Sequence, residues 1–210
     1  MTTTVQFFYD YLSPYAYLAN TQIARLVELD AAIEFRPIRI LEVMTRVNNQ
    51  PSPKCPPKAR YSGLDAKRWA KRYGVPLGRN ADLWSALGSG SFDPSILIRG
   101  ALLAKELGVF EAYQAATFRA VWADPKDVAT PAGREDLLER AGIRQSDFWD
   151  RAMSAAIEAR AEQDVQDAVD KGVFGVPTFF VGDEMFFGND RLDFVREAIA
   201  SHAGADGEGK

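Results

Sequence analysis

Two short segments at opposite ends of the sequence carry residues that could do chemistry. The first is Tyr9-Asp10-Tyr11-Leu12-Ser13-Pro14-Tyr15. Serine followed by proline is a strong helix-start signal, because the hydroxyl can cap free backbone N–H groups and proline fits the first helical position. A helix start of this kind also favours an anion. The turn contains no cysteine, so an anion held there must come from a ligand; simple capping is the other reading of Ser13. The second segment is Gly175-Val176-Pro177-Thr178. A proline just ahead of a strand can adopt the cis form. That turn leaves the Val176 N–H and C=O free of the sheet, able to pair with an extended peptide by strand addition. An ordinary loop proline is the alternative.

Residue counts remove competing chemistries. The 210 residues include one cysteine, Cys55, and one histidine, His202 in a polar tail, so an intrachain disulfide, a Ser-His-Asp or Cys-His centre and a multi-histidine metal site are all excluded. A cysteine-based metal cluster is excluded on the same count. A formal net charge of -4 provides no broad basic field for nucleic acid or an anionic membrane, which leaves small molecules or proteins as partners. The N-terminus lacks signal-peptide form and no run of eighteen apolar residues occurs, so the expectation is a cytoplasmic protein. Trp84 and Trp122 could wall an aromatic substrate pocket, but large aromatics on helices more often belong to the core, and Cys55 receives no role.

The elements that must position the two segments follow from periodicity. Val5 to Tyr9 reads as a buried strand. A helix then runs from Ser13 to about Leu29, its apolar stripe formed by Ala16, Ala19, Ile23, Leu26 and Val27. Ile33 to Ile38 reads as a second strand. From Leu41 to about Ala168 the pattern is helix after helix, broken at Pro51 to Pro57 and Gly88 to Ser91. Helices are expected from Asp93-Pro94 to Gly108, over Phe110 to Trp122 and over Gly133 to Ala141, and Gln145 to Lys171 reads as one long helix or two abutting ones. Thr178 to Val181 and Glu184 to Phe187 form a hairpin around Gly182-Asp183. A last helix starts at Asn189 or Asp190 and ends at Ala200, and the tail after His202 reads as disordered. Two strands at one end and a hairpin at the other make one sheet only if the middle is an insertion. The expectation is therefore an α/β chain: a thioredoxin-like four-stranded sheet from residues 1–40 and 172–204, an inserted all-helical subdomain over 41–171, and a tail over 205–210. In such a fold the turn at Ser13 ordinarily holds a redox cysteine pair, which is missing here.

The segments Asp10 to Tyr15, Tyr17-Leu18-Ala19-Asn20, Leu64 to Ala70 with Tyr73 to Leu77, and Val173 to Thr178 through Gly188-Asn189-Asp190-Arg191-Leu192 resemble the 2-hydroxychromene-2-carboxylate isomerase family. Kappa-class glutathione transferases share the pattern more loosely. The resemblance spans nearly the whole chain, although the loop from Asn48 to Pro57 departs from the family pattern in length and composition. It implies glutathione as cofactor, an aromatic small-molecule substrate and a homodimer. It further implies that Ser13 donates to the glutathione sulfur and that Val176 pairs its backbone with the cysteinyl unit. Asn189 and Asp190 would meet the γ-glutamyl end, Lys58 the glycyl carboxylate, and Asn49 would also contact glutathione; by local sequence alone Asn189 and Asp190 read as helix caps and Lys58 as a surface lysine in a proline-rich loop.

Three readings follow. In the first, a glutathione-dependent isomerase uses reversible thiolate addition to a conjugated substrate. In the second, a kappa-type transferase keeps the conjugate, so product mass separates the two. The third is a non-catalytic thioredoxin-like module that binds a peptide at Val176-Pro177, for which glutathione would leave the melting temperature unchanged.

Overall fold

A computed structural model describes residues 2–205 of the chain. The chain enters as β1 (Thr3–Tyr9), α1 (Pro14–Asn20), the single-turn α2 (Ala24–Val27) and β2 (Ala31–Pro37). A helical stretch follows: α3 (Ile40–Arg46), α4 (Pro56–Tyr73), α5 (Ala81–Ser89), α6 (Ser95–Glu106), α7 (Phe110–Phe118), α8 (Pro131–Arg140), α9 (Phe148–Ala152) and α10 (Ala155–Asp170). The chain then returns as β3 (Thr178–Val181), β4 (Glu184–Phe187) and α11 (Leu192–Ala205). The sheet order is β2-β1-β3-β4; β1 lies parallel to β2 and antiparallel to β3, with Phe7 opposite both Phe35 and Phe179. This is the thioredoxin-like sheet with a helical insertion that the two terminal segments require.

Successive side chains of a strand point to opposite faces, and β1 is apolar on both. Phe7 and Tyr9 enter the larger core with α1, α6, α7 and α11, where Phe7 stacks on Phe179 at 4.8 Å. Phe8 enters a smaller core on the other face with Ile40 and Val43 of α3 and Val165 and Ala168 of α10. Burial on both faces makes β1 the fixed rod from whose end Ser13 is presented.

Several expected boundaries move, each for a local reason. The helix expected to reach Leu29 stops at Asn20, where Thr21 Oγ1 donates to Leu18 O at 2.6 Å and three-residue bonds replace the α pattern through Ile23. Ile23 and Leu26 remain buried, but Val27, assigned to the same stripe, is 52% exposed. Pro56 and Pro57 begin α4 rather than breaking the helical pattern. The helix expected to Trp122 ends at Phe118 and gives way to a π-helical turn, Arg119–Ala123. Two abutting helices form beyond Gln145, because Ser154 accepts from Ile157 N–H and caps α10. Asn189–Arg191 is a 3-10 turn ahead of α11, and that helix passes Ala200 to include Ala203 to Ala205 of the tail expected to be disordered. Residues 206–210 of that tail lie outside the described residues. No helix among the described residues is long and apolar enough to cross a membrane.

Candidate functional site

The end of β1 and the turn before β3 meet at Ser13 and Val176. Ser13 is the N-cap of α1, and its Oγ accepts from Ala16 N–H at 3.2 Å. The same hydroxyl donates to Val176 O at 3.3 Å. The Val176-Pro177 peptide is cis. Gly188 N–H donates to Pro177 O at 2.9 Å and Thr178 Oγ1 to Gly175 O at 2.8 Å, which fastens the turn to β4 and to itself. The Val176 N–H has no hydrogen-bond partner among the described residues. A Cβ at Gly175 would lie 2.7 Å from Phe187 Cε2, so a larger residue there would push that exposed ring aside.

Hydrogen bonds of three residues, Asp10, Gln114 and Trp122, which the sequence reading missed, hold the turn leading to Ser13. Asp10 is 7% exposed. Its Oδ1 accepts from Leu12 N–H at 2.9 Å, its Oδ2 from Ile40 N–H at 3.1 Å, and its carbonyl from Ser13 N–H at 3.1 Å. Burial raises its pKa from 3.8 to about 6, against the opposing pull of those two side-chain bonds. Below the turn, the Tyr9 and Tyr11 hydroxyls both donate to Gln114 Oε1 on α7, and burial raises both phenol pKa values. Beside it, Trp122 Nε1 donates to Tyr11 O at 2.8 Å. The π-helical turn carries Trp122, and such turns frequently mark functional sites. Trp122 is thus a core residue, as expected, with an additional bond to the backbone of this turn. The available signal was a polar residue inside an apolar run: Asp10 between Tyr9 and Tyr11, and Gln114 within α7.

The remaining expected site residues divide. Asn49 Nδ2 donates to Phe174 O at 2.7 Å, so the loop after α3 is fastened two residues before Val176. Lys58 stands in the first turn of α4, not in a proline-rich loop, and is exposed with no hydrogen bond or ion pair among the described residues. That helix lies against α1, where Tyr15 Oη donates to Asp65 Oδ2 at 3.1 Å. Asn189 is buried, its carbonyl accepts from Tyr73 Oη at 3.0 Å, and its amide faces the same hydroxyl at 3.4 Å. It therefore holds α4 to the turn before α11 and does not cap that helix. Asp190 pairs with Arg191 at 2.6 Å on the surface. The 3-10 turn that contains both packs on α1. A hollow of about 410 Å³ lined by Tyr17, Asn20, Pro76 and Phe118 opens at the other end of α1 and lies apart from this corner.

Residues 4–200 match the family described as DSBA-like thioredoxin domain. A 2-hydroxychromene-2-carboxylate isomerase of Sphingobium xenophagum is 33% identical over 205 residues, covering 95% of this chain and 99% of that one. A solved structure of a 2-hydroxychromene-2-carboxylate isomerase superposes with a TM-score of 0.83 at 27% identity, covering 99% of both chains. Human glutathione S-transferase kappa 1 is 23% identical, covering 93% of this chain and 90% of its own. With a cysteine-free turn on a thioredoxin-like sheet and end-to-end similarity to isomerases, the chain belongs to the 2-hydroxychromene-2-carboxylate isomerase family within the DSBA-like thioredoxin domains.

Proposed function

We propose that the chain is a glutathione-dependent isomerase acting on 2-hydroxychromene-2-carboxylate or a related conjugated aromatic pyruvate. The observation that carries this reading is the Ser13–Val176 corner: a hydroxyl donor and an unpaired backbone N–H side by side, in a turn with no thiol of its own. These groups suit a tripeptide thiol. The Val176 N–H and C=O can pair with a peptide backbone as a strand edge does. At 3.3 Å the Ser13–Val176 bond is long for a hydroxyl donor, so Ser13 can turn its proton to a sulfur anion at little cost.

Bound glutathione supplies a thiolate that adds reversibly to a double bond conjugated with a carbonyl and so frees rotation about that bond. The protein's part is electrostatic: Ser13 Oγ–H stabilises the anion, and the bonds from Asp10, Gln114 and Trp122 keep that donor from reorganising. Lys58, unpaired on α4, is available to a carboxylate. Asp190 is available to an ammonium because its exposed pair with Arg191 is weak. The amides of Asn49 and Asn189 are already engaged by Phe174 O and Tyr73, which favours a bracing role for both.

The similarity to kappa 1 supports a second reading, a transferase that retains the conjugate. The test is to mix the chain with substrate, with and without glutathione, and follow absorbance and product mass. Rearrangement at unchanged mass that requires glutathione is the expected result. Product heavier by one glutathione supports the transferase, and turnover independent of glutathione overturns both. A cytoplasmic setting is part of the proposal, since the exposed Cys55 suits a reducing compartment. The homodimer rests on the family resemblance, and sedimentation of the pure chain tests it.

A further inference from the structure

We propose that Asp10 is a positioning residue that sets the Ser13 donor by clamping the β1–α1 turn to the start of α3. One buried carboxylate accepts N–H groups from two separate elements, Leu12 in the turn and Ile40 on α3, while the Asp10 carbonyl accepts from Ser13 N–H. α3 is itself fixed. Arg39, next to Ile40, reaches Glu158 at 2.8 Å and Glu162 at 2.9 Å on α10, and the loop after α3 ends on Phe174 through Asn49. Asp10 therefore links the turn that holds Ser13 to the same element whose trailing loop fastens the chain beside Val176. Both sides of the corner are referred to α3.

The clamp requires an acceptor at both oxygens, hence an ionised carboxylate. Protonation places a hydrogen on one oxygen and leaves Leu12 or Ile40 N–H facing a donor. Of the titratable groups, Tyr9 and Tyr11 on its own segment feel the Asp10 charge; on the element that supplies Ile40, Arg39 just before α3 and Glu42 within it pair with each other, and Arg39 also pairs with Glu158 and Glu162 of α10. The guanidinium of Arg39 is turned to the three glutamates, so Asp10 has backbone amides as its hydrogen-bond partners. Burial places its protonation near pH 6, within reach of a titration of the folded chain.

The clamp stands apart from the reaction, although its kinetic consequence rests on the glutathione-dependent reading. The decisive experiment follows the backbone amide resonances of the full 15N-labelled chain, without glutathione, from about pH 5 to about pH 8. Leu12, Ile40 and Ser13 are expected to move together with a midpoint near 6. In Asp10→Asn all three should stay flat, because the carboxamide has one acceptor and turns its NH2 toward the other amide. Glutathione-dependent kcat of that variant should fall about tenfold to a hundredfold from a displaced donor, with a much smaller change in KM for glutathione. Leu12 and Ile40 resonances that do not titrate overturn the clamp, and a Ser13 resonance that stays still while they move overturns the positioning role. If Asp10→Asn fails to fold, the wild-type titration still decides. If the amides titrate together but the chain shows no glutathione-dependent turnover, the clamp stands and the proposed reaction falls.

Discussion

Ser13 Oγ lies 3.3 Å from the Val176 carbonyl oxygen, and that hydrogen bond joins two segments 163 residues apart. The contact closes one end of the sheet: Ser13 extends from β1, Val176 precedes β3, and the two strands are antiparallel neighbours. Strand pairing alone brings the two turns together; the cysteine-free sequence of one and the unpaired N–H of the other define what the corner can hold.

A peptide-like ligand that uses this corner must stabilise the folded chain. Glutathione at about one hundred times its dissociation constant is expected to add about 2.7 kcal/mol and raise the melting temperature. Ser13→Ala should reduce that shift. An unchanged melting temperature at saturating glutathione supports a non-catalytic module.

The buried Asp10 has a signed effect on stability. Its folded pKa is about 6 against 3.8 for the free group, so between those values the folded chain holds a proton that the unfolded chain has released. Stability from this group therefore falls as pH rises through that window and is level above it. The displacement corresponds to about 2 to 3 kcal/mol at about 1.4 kcal/mol per tenfold change. Glu42 and Asp164 shift upward with burial as Asp10 does, whereas at Glu34 and Asp127 hydrogen bonds and nearby cations outweigh burial and lower the pKa. The measurement is thus the difference in denaturant stability between wild type and Asp10→Asn at several pH values. It should move against wild type from about pH 4 to about pH 6; a difference independent of pH contradicts the shifted carboxyl.

Gly100 sets two opposing effects against each other. Alanine is the better helix former by about 1 kcal/mol. A Cβ at Gly100 would press on the buried Tyr113 hydroxyl and lie 2.7 Å from Tyr113 Cζ and 3.1 Å from Trp149 Cζ3. Overpacking of this kind costs about 1 to 3 kcal/mol, so Gly100→Ala should be neutral to destabilising by about 2 kcal/mol in denaturant unfolding. A gain in stability would show that α6 and α7 separate readily at this crossing.

Trp122→Phe keeps an aromatic ring and removes one donor. The Tyr11 carbonyl is then left buried without its indole partner, which costs about 1 to 3 kcal/mol. Urea unfolding reads this directly, and a loss below about 0.5 kcal/mol would place the Tyr11 backbone in contact with water.

Much of this fold is legible in the sequence because its signals are local. The hairpin at Gly182-Asp183 lies where its turn residues put it, and β1 follows the short β-branched and aromatic run from Val5, starting two residues earlier at Thr3. The break after Asn20 was not legible, because Ile23 and Leu26 keep the apolar stripe while the backbone bonds change around Thr21. The π-helical turn at Arg119 leaves the composition of the helix unaltered, so periodicity carries it through to Trp122. In the site, Ser13 and Val176 were legible because each lies in a short turn with its own chemistry. Asp10 shows in the sequence only as a polar residue between two tyrosines, and its role does not, since its partners Leu12 and Ile40 contribute only backbone N–H groups that no residue type announces. Asn189 reads as a helix cap and instead meets Tyr73, 116 residues away, a pairing set by how α4 lies on α1.

The hydroxyl of Ser13 bears most of the proposal, and its removal tests it most directly. Steady-state turnover of 2-hydroxychromene-2-carboxylate at saturating glutathione should be compared between wild type and Ser13→Ala, with folding checked by circular dichroism. Loss of one preorganised donor to a developing anion costs about 2.7 to 4 kcal/mol, so a fall of about a hundredfold or more in kcat is expected. Turnover within about twofold of wild type would mean that the thiolate is stabilised elsewhere and that Ser13 only caps α1.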